Sequence, residues 1–416
     1  MLKRSLILAG IVLLCNLAFS QTATFYADGA KEKDQNKSYV SLEAYEQGSS
    51  VVYATNQVNL YVIKLRMAKT AGGINDENRR FNGLNSVLLA DKGSRITIDD
   101  CEIRSNTPLA DGLSAIGSGT FVKLNKGLVA TTRNNSSALN AIKDGVVYVS
   151  ETEVNTYSDQ SSLFYTSQGG NMDVSEAIGG SSGQASPLFY SSGTLNGYKC
   201  HLNSAKWTIG NVDGGTLTLQ KSVLKSGGIC GFLVYGVHNK EGHGMLNLSK
   251  NSITVNEGPL FLVTNTDNAS ITLSGNKIKC KDKELMSVRS DDWGEEGKNG
   301  GHVSLFVEKQ ALTGDINVDS ISGMYLILKS GAKYTGQINA RENRSADVRV
   351  KLGAKSQWKS NGESYLTSIE FEQPVEKAVK SLQGKHTIYY DPADPANAPL
   401  GGKVYKTGGG TLCPLK

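Results

Sequence analysis

What most limits the folding of this chain is a short pattern that keeps returning: an apolar residue, any residue, an apolar residue, any four, then a third apolar residue. It occurs at Ile96, Ile98 and Ile103; at Val122, Leu124 and Val129; and at Val147, Val149 and Val154. It returns at Leu195, Gly197 and Leu202, with Gly weakening the middle, then at Leu217, Leu219 and Leu224, at Leu246, Leu248 and Ile253, and at Ile271, Leu273 and Ile278. Successive copies begin 26, 25, 48, 22, 29 and 25 residues apart, and the 48 contains a degenerate copy at Met172, Val174 and Ile178. Periods of this size belong to stacked repeats.

A second series runs beside the first: SSLFYTS from Ser161, SPLFYSS from Ser186, GFLVYG from Gly231, GPLFLVT from Gly258 and KELMSV from Lys283. Each period therefore holds at least two strand-like pieces. Alternation points one face of each strand inward, and a four-residue gap rich in Gly, Asn, Ser and Lys re-aims the chain so that the next apolar residue also points inward. One turn alone leaves its apolar face wet, whereas stacking turns roughly 4.8 Å apart builds a continuous core. The expected fold is all-β, a single-stranded right-handed parallel β-helix of ten to twelve turns. Leucine-rich repeats share the period, but their fixed Leu and Asn framework is missing.

The expected organisation is a signal peptide over 1–20, an N-terminal cap over 21–50, the β-helix over 51–371, and a C-terminal cap with an irregular tail over 372–416. Lys3 and Arg4 precede the apolar run Leu6 to Cys15, which is shorter than the ~20 residues that span a bilayer, and Ala18 and Ser20 place cleavage before Gln21. Export follows, to the periplasm, the outer surface or the extracellular space, with no transmembrane segment. A lipoprotein signal at Cys15 is disfavoured by Leu14, where a small residue is needed. Five cysteines remain after the leader (Cys101, Cys200, Cys230, Cys280 and Cys413), an odd and scattered set that predicts at most one bridge. Lys and Arg number 44 against 39 Asp and Glu, a surplus of +5 with no basic run, so nucleic acid is not expected as a partner.

The stretch from Ser290 to Ala340, with its WG...NGG loop and following DINVDSIS, together with SPLFYSSG and GPLFLVTNTDNASITLSGNKI, resembles secreted parallel β-helix proteins of gut anaerobes. These are adhesin-like or carbohydrate-binding, and the resemblance covers residues 80 to 370. FSQ at the cleavage site is similar to exported Bacteroidetes proteins. The resemblance implies the fold, and a polysaccharide or a host or bacterial glycan as ligand; it implies no catalytic motif.

Fragments similar to polygalacturonase signatures are present, namely DDC at Asp99, GHG at Gly242, NTD at Asn265 and RVK at Arg349. DDC and GHG fall nearly six turns apart, too far to flank one glycosidic bond, so the match is coincidental. A local patch survives this objection. Aligning Phe232, Leu260 and Leu285 puts His238, Asp267 and Asp292 in neighbouring turns, and the adjoining loops add Glu241, His243, Arg289, Asp291, Trp293, Glu295 and Glu296. Such a patch suits calcium held by oxygen ligands, a sugar stacked on Trp293, or an acid and base, the last being the polysaccharide lyase or glycoside hydrolase alternative. Solvated carboxylates on protruding loops are the plainer explanation of the patch. The expected role is adhesin-like glycan recognition without catalysis, with a structural cell-surface protein as the remaining alternative. Other candidate stacking rings are Trp207, Trp358, Tyr165 and Tyr190. Arg79 and Arg80 are expected to pair with Asp76 and Glu77.

Overall fold

A computed structural model describes residues 23–30, 40–73, 82–236 and 243–416, and the backbone of 34–36. The leader, His238, Glu241 and the Arg79–Arg80 loop therefore lie outside the described residues.

The chain is a parallel β-solenoid of about 15 turns, 53% strand and 4% helix. The repeat is the reason. Ile96 pairs with Val122, then in sequence with Val147, Met172, Leu195, Leu217, Leu246, Ile271 and Leu305, giving one inward column. The third pattern position makes another, from Ile103 through Val129, Val154, Gly179, Leu202, Leu224 and Ile253 to Ile278. The degenerate copy is one residue out of phase with expectation. Gly179 occupies the inner place, and Ile178 is 53% exposed.

The gap between second and third apolar residues is a corner built on one left-handed residue. Lys64, Asp100, Lys126, Glu151, Glu176, Lys199, Lys221, Lys250 and Lys309 all have φ between 48° and 55° there, and Gly275 has 64°. A single such residue acts as a bulge that rephases the alternation, which explains why the third apolar residue follows the second by five places rather than two or four. The next side chain turns back into the corner. It is Cys101, Gly127, Thr152, Ala177, Cys200, Ser222, Asn251, Asn276 and Gln310 in successive turns. The polar members satisfy one another: Ser222 N donates to Asn251 Oδ1 at 2.9 Å, Asn251 N to Asn276 Oδ1 at 2.9 Å, and Asn276 N to Gln310 Oε1 at 2.9 Å.

The second strand series forms a 12-stranded parallel sheet from Ala23–Asp28 to Asp315–Val318. Its inner face stacks Phe164 on Phe189 and Phe232 on Phe261, with ring centroids 5.2 and 5.9 Å apart. Phe232 pairs with Phe261 and then Met286, not with Leu260 and Leu285 as aligned from sequence. Leu260 and Phe261 are both buried, as are Leu285 and Met286, so composition alone does not choose between them.

Parallel pairing also reaches beyond the expected limits. Ala23–Asp28 and Ser41–Ala44 pair with Ser50–Thr55 and Arg66–Lys69, inside the segment expected as a cap. Past residue 371 a short helix, Val375–Ala378, is followed by Thr387–Tyr390 and Thr411–Pro414, paired in parallel, with a 3-10 helix at Pro395–Leu400 between them. Turns gained at both ends account for the larger count. All five described cysteines are free, and Cys101, Cys200 and Cys230 are buried.

Candidate functional site

The loop 289–300 is held firmly. Asn265 Nδ2 donates to the Trp293 carbonyl at 2.8 Å, and Asn299 Nδ2 donates to the Asp291 carbonyl at 2.6 Å and the Trp293 carbonyl at 3.1 Å. At its base Asp319 accepts from Ser290 N and Oγ at 2.6 and 2.9 Å. Burial pushes the Asp319 carboxyl up, but hydrogen bonds from Ser322, Ser290 and Ile321 outweigh it and hold the group below its ordinary pKa. It is a fastened anion and not a proton donor.

The structure separates much of what the sequence suggested would converge. Arg289 and Asp291 line one cleft of about 510 Å³, together with Glu284, Asn317, Asp319 and Arg341. Glu284 there accepts from Asn317 Nδ2 at 2.6 Å. His243 instead meets Ser270 Oγ at 3.1 Å, and Glu295 pairs with Lys298 at 2.6 Å on the exposed loop. Asp267 and Asp292 are exposed, with the Asp292 N–H bonded to Asp291 Oδ1 at 2.9 Å. Trp293 is half-buried, its ring edge-on to Tyr235 at 5.4 Å. Among the described residues no three His, Cys, Asp or Glu side chains come together as metal ligands would.

The expected stacking rings are also largely occupied. Trp358 is fully buried and donates to the Gly336 carbonyl at 2.9 Å. Tyr165 and Tyr190 lie face to face at 4.6 Å, with Tyr190 bonded to Asp213 at 2.6 Å. Trp207 is half-buried.

An open ring lies elsewhere, on the outer face of the bent sheet. Tyr148 sits between the core residues Val147 and Val149, so the strand alternation sends it outward, where it is 41% exposed. Phe121 of the preceding turn props it edge-on at 5.1 Å. The register then sets Asp173, Asn196 and Thr218 above Tyr148 in one column, and Ser150, Ser175, Tyr198 and Gln220 in the next. The two columns bound a trough of about 520 Å³ crossing five turns. Asn196 Nδ2 donates to Asp173 Oδ1 at 2.8 Å, joining an amide and a carboxylate at its middle. Lys221 Nζ donates to the Tyr198 hydroxyl at 3.1 Å, which lowers that phenol's pKa, and Lys199 and Lys221 both lie near the Tyr198 ring. Tyr148 was legible in the repeat as an outward position; what was missing was the register that places Asp173 and Asn196 beside it.

Fold and trough together define a class: a parallel β-solenoid with a polar, aromatic-walled groove along its side. No protein-family model matches the chain, and no curated protein matches it. Among the described residues no helix is long and apolar enough to cross a membrane.

Proposed function

We propose that this is an exported recognition protein that binds glycan without catalysis, and that the trough over Tyr148, Asp173, Asn196 and Tyr198 is its binding surface. The observation that supports this most is the open Tyr148 ring with the Asp173–Asn196 pair one and two turns along the same column. A sugar ring presents C–H groups to an aromatic face and hydroxyls to its sides, and one apolar platform with a few placed polar groups is how such ligands are oriented. Turns repeat at roughly 4.8 Å, so an extended chain lying along the axis meets a new set of side chains at each step.

Hydrolysis needs two carboxylates about 5 to 9.5 Å apart, and Asp173 is the single carboxylate among the residues lining the trough. The alternative of a glycoside hydrolase has less support for that reason; a polysaccharide lyase is separated by the product analysis below. Calcium enters this proposal at no step. The test is affinity electrophoresis of the full chain through gels holding a panel of neutral and acidic polysaccharides, with product analysis of the same polymers. Retardation is expected, reduced about tenfold in affinity by Tyr148→Ala, without new reducing ends or unsaturated products. Retardation unaffected by Tyr148→Ala would place the site elsewhere, and new chain ends would make the protein an enzyme.

A further inference from the structure

Charge is segregated along the stack in a way that only the register reveals. Four consecutive turns of the bent sheet contain no Asp or Glu over residues 194–204, 216–226, 244–255 and 270–280, with Asp267 standing just before the last of these, at the start of the strand Thr266–Ser274. They carry Lys199, Lys221, Lys225, Lys250, Lys277 and Lys279, all exposed. Earlier turns of the same sheet are mixed: residues 59–69 and 121–131 also lack Asp and Glu, but acids stand in the turns beside them, at Asp99, Asp100 and Glu102, then at Glu151 and Glu153, then at Asp173 and Glu176, so the four turns from 194 are the longest acid-free run among the described turns of that sheet.

The lysines are stacked rather than scattered. Lys199, Lys221 and Lys250 hold the same left-handed corner in successive turns, where Lys199 N donates to the Gln220 carbonyl and Lys221 N to the Ser249 carbonyl, each at 3.0 Å. Around the corner, Lys225 pairs with Thr254 and Thr254 with Lys279, while Val223 pairs with Ser252 and Ser252 with Lys277. Glu176 pairs with Lys199 at 3.0 Å, and the other five ammonium groups are in no ion pair among the described residues. Four turns extend roughly 14 Å between first and last strand.

An exposed lysine needs no ligand to explain it, since any charged side chain keeps a solenoid face wet. Solubility alone does not sort the signs, however. Glu151 and Glu176 fill the identical corner in earlier turns with φ of 49° and 54°, so either charge fits the backbone. A one-signed array repeating at the strand spacing is complementary to a polymer of anions rather than to a point anion. The trough runs into this array, because Tyr198, Thr218 and Gln220 line the trough and belong to the lysine-bearing turns.

We infer that the ligand is an acidic polysaccharide, bearing carboxylate or sulfate groups, extended parallel to the solenoid axis from the trough onto the lysine array. This rests on the trough being a glycan site. The array adds the charge class and the direction.

The full chain is tested for binding to polygalacturonate, dextran sulfate, uncharged dextran and duplex DNA. For the acidic glycans, affinity is expected to fall at least roughly tenfold as salt rises from about 50 to about 300 mM. The double variant Lys221→Glu/Lys250→Glu is expected to lose about tenfold at the lower salt, with an unchanged unfolding midpoint because Glu151 and Glu176 already occupy that corner in earlier turns. Dextran bound as tightly as the acidic polymers, a charge-reversed variant that binds normally, or duplex DNA bound as tightly as the acidic glycans would each overturn the inference. If dextran is bound, insensitively to salt but sensitively to Tyr148→Ala, the glycan trough stands and the anionic ligand falls. Failure of every glycan to bind sinks both.

Discussion

Lys69 is fully buried, and its ammonium donates to the Glu46 and Ser49 carbonyls at 2.9 and 2.8 Å, tying down a loop between early turns. Burial lowers its pKa from 10.5 to about 8, against the opposing charge of Glu46. Above pH 8 the unfolded chain therefore holds a proton that the folded chain has lost, and stability rises with pH. Burial acts oppositely on Cys101 and Cys200, whose thiols ordinarily titrate near 9.0 and are raised on folding, so from about pH 9 their contribution declines. The window between pH 8 and 9 belongs to Lys69. In urea denaturation at those two values, wild type is expected to gain stability relative to Lys69→Met as pH rises; a constant difference would mean that the lysine is not desolvated as described.

Among elements, the corner is where the sequence was most informative. Its spacing of five residues between second and third apolar positions implied that the chain must be re-aimed, and one left-handed residue per turn does so. What fills the corner was not legible, because Cys, Gly, Thr, Ala, Ser, Asn and Gln all fit, and their hydrogen bonds run between turns rather than along the chain. Asn276 shows how strongly the polar corner is coupled: its side chain accepts from Asn251 N and Nδ2 and donates to the Leu248 carbonyl at 2.8 Å and Gln310 Oε1 at 3.0 Å. Asn276→Leu removes the acceptor of Asn251 N and Nδ2 and the donor to the Leu248 carbonyl, leaving Gln310 Oε1 only the Asn276 backbone N–H, and is expected to destabilise by about 2–5 kcal/mol in chemical denaturation. A loss below about 0.5 kcal/mol would show that the ladder adds little beyond packing. The missed phases at Ile178 and Leu260 have the same origin: where adjacent residues are both apolar, or where Gly stands inward, hydrophobic alternation loses its phase.

At the scale of the molecule, the stack itself was readable because its columns repeat apolar residues at a fixed place in each turn. The surface was not, because residues 22 to 29 apart in sequence become neighbours only once the register is known. A search for basic runs passes over Lys199, Lys221 and Lys250, and a net surplus of +5 says nothing about their holding the same corner in successive turns. Closeness in sequence is a poor guide to the loop for the converse reason. Arg289, Asp291, Asp292 and Glu295 are close in sequence, but Arg289 and Asp291 line one cleft while Asp292 is exposed and Glu295 pairs with Lys298 on the loop.

A crystal structure of the full chain with an acidic oligosaccharide such as oligogalacturonate distinguishes these surfaces directly. The ligand is expected along the solenoid axis, a sugar ring over Tyr148 and its carboxylates directed toward Lys221 and Lys250. An oligosaccharide seated in the Arg289 cleft, or lying across the turns rather than along them, would contradict that placement.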